Sequence, residues 1–71
     1  MPTAPVVAGG LVFIGDRTGV LRAINSDGKV KWRAYVGGAI YFPPTISNNR
    51  AYVGSADGRV YAFEASTGRL L

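Results

Sequence analysis

The chain has 71 residues, a net charge of +4, 48% hydrophobic residues and only 17% charged ones. At this length a fold buries only about 60% of the surface that its unfolded chain exposes, so the core is marginal unless something supplements it. There is no Cys and no His, which excludes disulfides and leaves a zinc site only carboxylates to use. High apolar content with low charge also excludes a disordered chain, so self-association is the expected supplement.

Along the chain, Met1-Pro2-Thr3-Ala4-Pro5 has neither the basic nor the apolar region of a signal peptide. No later stretch approaches the ~20 apolar residues of a membrane-spanning helix. Residues 6–8 form a short apolar run, and Gly9-Gly10 makes a turn. Residues 11–14, Leu-Val-Phe-Ile, form a continuous apolar run, the pattern of a strand covered on both faces. A turn at 15–19 leads to a third strand at 20–25. Ser26-Asp27-Gly28 turns again, and a fourth strand is predicted at 29–36. Residues 37–44 connect to a second series, with turns at Asn48-Asn49, at 55–58 and at 66–68. No window shows sustained helical periodicity.

The two series are copies. Pro5 falls on Pro44, Gly15 on Gly54, Gly19 on Gly58 and Ala23 on Ala62, each at an offset of 39 residues. Similar residues fill the space between, such as Phe13 with Tyr52 and Leu21 with Val60. Four short strands per unit of about 40 residues is the pattern of a β-propeller blade. The predicted fold is all-β: two four-stranded antiparallel blades, residues 1–38 and 39–71, the second with a truncated outer strand.

The motifs Ala51-Tyr52-Val53-Gly54, Asp57-Gly58, Val60-Tyr61-Ala62-Phe63-Glu64 and Thr67-Gly68-Arg69 resemble the quinoprotein-type, or PQQ-like, propeller repeat. The first copy carries the same pattern with Gly15, Gly19, Ala23, Asp27-Gly28-Lys29 and Trp32. In that family the Trp docks between blades against small residues of a neighbour. The resemblance therefore implies an inter-blade role for Trp32, with Gly15, Ala23, Gly54 and Ala62 as the small partners. The second copy stops at Leu71, one position before its own Trp would fall. The family includes quinone-dependent dehydrogenases, a scaffold of the outer-membrane protein assembly machinery, and sensor domains. Some members are periplasmic, and the compartment of this chain stays open.

The chemistry is sparse. Without His or Cys the usual nucleophile triads cannot be built. Three of the four acids, Asp16, Asp27 and Asp57, stand at turns, where Asp bonds the local backbone. No catalytic residue, metal site or cofactor is expected, and the chain is read as not an enzyme. Lys29, Lys31 and Arg33 alternate along a strand, which would place them on one face opposite Val30, Trp32 and Ala34. Protection of a sheet edge explains such a stripe, so nucleic acid is not an expected partner. Tyr41 and Phe42 lie in the connector, free to meet a ligand or another subunit.

The expected function is a non-catalytic scaffold or binding platform. Two blades alone would leave two open faces, so copies of the chain are expected to close a ring, a tetramer before a dimer or trimer. The alternative is a two-blade piece of a larger quinoprotein-like propeller, including a quinone-dependent dehydrogenase.

Overall fold

Glycine, proline and asparagine punctuate the apolar runs, and the strands form between them. The computed structural model describes residues 3–71; Met1 and Pro2, at the start of the first predicted blade, lie outside the described residues. The first sheet is an antiparallel meander of β1 (Val6–Ala8), β2 (Leu11–Gly15), β3 (Val20–Ile24) and β4 (Val30–Tyr35), in that order. The second runs β5 (Thr45–Ser47), β6 (Arg50–Gly54) and β7 (Val60–Glu64). Beyond β7, a single bridge between Phe63 and Leu70 is all that forms of a fourth strand. The all-β fold with two antiparallel sheets and a truncated last strand is as expected.

The turns explain where the strands stop. Asn48 and Asn49 both take positive φ, at 50° and 60°, the conformation of a two-residue hairpin turn. β3 ends one residue earlier than expected because Asn25 leaves the ladder. Its Oδ1 accepts from the N–H groups of Asp27 and Lys29, at 2.9 and 3.1 Å.

One departure changes which way side chains point. The register of β4 on β3 runs Ala34–Leu21, Arg33–Arg22 and Trp32–Ala23, then jumps to Val30–Ile24. Lys31 is the extra residue of a β-bulge and has no partner on β3. The predicted single face of Lys29, Lys31 and Arg33 is broken there. Val30, expected inside, is exposed, and Lys31 borders a cavity between the sheets.

The core lies between the two sheets, which approach each other through β1 and β5. Phe13, Leu21, Ile40 and Val53 are its largest fully buried side chains. Ile40 comes from the connector, not from a strand, and inserts against Gly15. A Cβ built on Gly15 would stand 2.6 Å from Ile40 Cγ2. That overlap predicts that Gly15→Ala, a change that adds only one methyl group, destabilises the fold by about 1–3 kcal/mol through overpacking. Urea denaturation followed by far-UV circular dichroism measures it, and Gly54→Ala, with nothing within 4 Å of its added Cβ, serves as the near-neutral control.

Candidate functional site

The seam between the sheets is built on Trp32. Its place on β4 opposite Ala23, which is fully buried, leaves room for the indole. The ring crosses to the second sheet, where its Nε1–H donates to the carbonyl of Ala65 at 2.9 Å. Phe13 and Phe63 flank it, with centroids 5.9 and 6.4 Å away and tilted planes, and Tyr61 stacks on Phe63 beyond. Aromatic pairs at such separations attract beyond their area burial.

The small residue beneath the ring is Gly68. A Cβ there would lie 2.5 Å from Trp32 Cδ2, and its φ of +79° also favours glycine. Of the residues named from the repeat, Gly15 receives Ile40, Ala23 sits across the ladder from Trp32, and Ala62 is half-buried within the second sheet. Gly54 is exposed, with open space where a side chain would stand. Gly68 and Ile40 were not singled out by sequence. Gly68 reads there as an ordinary turn residue, and Ile40 as part of a loop.

At one end of the seam the connector is stitched to both sheets by a single peptide group. The Ile40 N–H donates to the carbonyl of Asp16, and the Ala39 carbonyl accepts from the N–H of Ala56, both at 2.9 Å. Two acidic turns flank this link. The Asp16 carboxylate accepts from the Thr18 hydroxyl and backbone, and pairs with Arg22 at 2.6 Å. These contacts, the Thr18 hydroxyl foremost, hold its carboxyl below the usual range, at about 2. In the second sheet Asp57 accepts from the Tyr61 hydroxyl at 2.6 Å, which lowers its pKa, and that hydroxyl accepts from the Gly37 N–H at 3.1 Å. Asp16 and Asp57 are thus engaged in local bonding, whereas Asp27 takes part in its turn through its backbone N–H, which donates to Asn25 Oδ1. Among the described residues, no group of three acids is placed to hold a metal ion.

Beyond this end project Tyr41 and Phe42, 57% and 78% exposed. The Arg17 guanidinium lies 5.8 Å from the Tyr41 ring centre, within cation–π range. Ala39, Gly54, Ser55 and Ala56 line a shallow open recess beside the two aromatics.

Two predictions follow from this geometry. Trp32→Ala removes the ring from a tight seat and should cost about 3–5 kcal/mol, read by chemical denaturation. Trp32→Phe, which loses the hydrogen bond but keeps a ring, should cost less. Asp16 is depressed in the folded state, so it favours folding when ionised. Its contribution is complete above about pH 4 and disappears as the pH falls towards about 2. Melting temperature followed over that range should fall, and Asp16→Asn should flatten the dependence.

Comparison with known proteins places this architecture. A family profile described as outer membrane protein assembly factor BamB matches residues 2–71. The BamB of Burkholderia pseudomallei is 40% identical over 60 residues, which are 84% of this chain and 16% of that protein. The BamB of Shewanella oneidensis is 34% identical over 61 residues, 84% of this chain and 15% of that protein. The crystal structure of BamB from Moraxella catarrhalis superposes with a TM-score of 0.76 at 39% identity, covering 86% of this chain and 18% of that one. These relatives are named for the assembly of outer membrane proteins. The same finding overturns the expected ring of copies, whether tetramer, dimer or trimer. In each relative the aligned segment is about a sixth of one longer polypeptide, so the rest of that polypeptide, not further copies, flanks it. The PQQ-like repeat, the two-sheet architecture and the match over nearly the whole chain agree: the chain belongs to the family of the outer membrane protein assembly factor BamB.

Proposed function

We propose that the chain supplies about two propeller blades to an outer-membrane protein assembly factor, and serves there as a non-catalytic scaffold that docks another polypeptide through its connector. The exposed pair Tyr41 and Phe42, with Arg17 beside it, carries this reading. Aromatic residues and Arg dominate the energetics of protein interfaces, and two adjacent exposed rings are a cost in water unless something covers them. The backbone stitching at Ala39 and Ile40 holds the base of the connector, so the rings are presented on a fixed support.

In this reading the first blade is residues 1–38 and the second 39–71. The 39-residue offset and the Gly37-Gly38 pair support that division. Trp32, Gly15 and Ala23 are the inter-blade set on the first side, and the second blade receives the indole at Gly68 and Ala65.

The test uses a chimaera of the Moraxella catarrhalis BamB in which this sequence replaces the aligned segment. In cells that depend on the chimaera, Tyr41→Ser with Phe42→Ser should lower outer-membrane protein levels while the purified chimaera keeps its melting temperature. Loss of two such rings is expected to weaken docking by about 2 kcal/mol or more, roughly thirtyfold. Normal outer-membrane protein levels in the double variant would refute the docking role.

A further inference from the structure

A second feature lies at the opposite end of the seam, away from the connector. The β1–β2 and β5–β6 hairpins and the turn after β7 border a half-open cavity of about 330 Å³. Its walls are mainly apolar: Ala8, Leu11, Phe13, Ile46 and Ala65. Lys31 stands on its border, delivered there by the bulge in β4. Bulges commonly re-aim a side chain beside a functional site. Asn49 and Ser66 complete the border. Asn49 Nδ2 donates to Ser66 Oγ at 3.3 Å, which leaves the Ser66 hydroxyl proton free to donate in turn.

We propose that this cavity binds a small amphiphilic carboxylate of the medium-chain fatty acid class. Two observations select that chemistry. The first is charge. Among the described residues the ion pairs are Arg22 with Asp16 and Arg69 with Glu64, so Lys31 has no carboxylate partner on the chain. A ligand carboxylate meets that ammonium group and the Ser66 hydroxyl together, one cation and one neutral donor at the border of an apolar chamber. The second is size. At about 30 Å³ per water-sized group, the space takes roughly ten heavy atoms, which is an eight-carbon acid and less than a folded partner element. The acyl chain lies along Ala8 and Ile46, the partly exposed apolar side chains of the wall, and the head group remains at the open border.

Trp32 is the sole tryptophan and packs on Phe13 and Ala65, both of which line the cavity, so its fluorescence reports occupancy. The 71-residue chain is titrated with octanoate, and with octanol as the neutral ligand of equal length. Octanoate should give a saturable change with a Kd below about 1 mM, a modest affinity for so few atoms. Octanol should bind at least about threefold more weakly, the range of one partly exposed ion pair. Lys31→Gln should abolish that preference and Lys31→Arg should keep it. Amide shifts on octanoate addition should cluster at Ala8, Ile46 and Ser66. Absence of saturation, equal binding of octanoate and octanol, or a preference that survives in Lys31→Gln would each overturn the assignment. The connector variants at Tyr41 and Phe42 should leave the octanoate titration unchanged, which separates this site from the docking surface.

Discussion

The structure depends on the contact between the Trp32 indole and a backbone that carries no side chain at Gly68. Each sheet alone has one face too apolar to leave in water, and neither is wide enough to form a core by itself. The indole spans the gap. It lies across Phe13 on its own sheet, reaches Phe63 on the other, and satisfies its one polar atom on the Ala65 carbonyl. A Cβ at position 68 would overlap the indole, so any other residue there forces the ring or the backbone beneath it to shift.

Around that contact the molecule separates its tasks by position. The seam is apolar and close-packed, with Ile40 set against Gly15 towards its connector end. The connector end carries the fixed charges, and the Asp16 and Asp57 carboxylates are held there by neighbours on their own hairpins. The other end is looser. There the hairpin turns do not close over the apolar residues, and one lysine stands at the border. The sheet pair thus carries two distinct recesses at opposite ends of the seam.

Much of this was legible in the sequence, for a physical reason. A repeat of turns and apolar runs sets where strands begin and end, because glycine and asparagine alone take the required φ cheaply. It does not set which residue of one sheet meets which residue of the next. The partner of Trp32 was therefore sought at Gly54 or Ala62 and stands at Gly68 and Ala65. Strict alternation likewise placed Lys31 with Lys29 and Arg33, and a bulge leaves no mark on alternation until the ladder is seen. Tyr41 and Phe42 were visible only as aromatic residues in a connector; their exposure and the nearby Arg17 come from the fold. Length alone could not distinguish copies of the chain from the remainder of one long polypeptide, which is what flanks the aligned segment in the relatives.

The peptide group between Ala39 and Ile40 has a consequence for how such a wall can evolve. A peptide plane is stiff, and this one is bonded at its oxygen to one sheet and at its nitrogen to the other. The pitch between the sheets is thereby written into main-chain atoms. Side chains at the tip two residues later are free of that duty. Substitutions at Tyr41 and Phe42 leave that main-chain link, and with it the step from one sheet to the next, untouched.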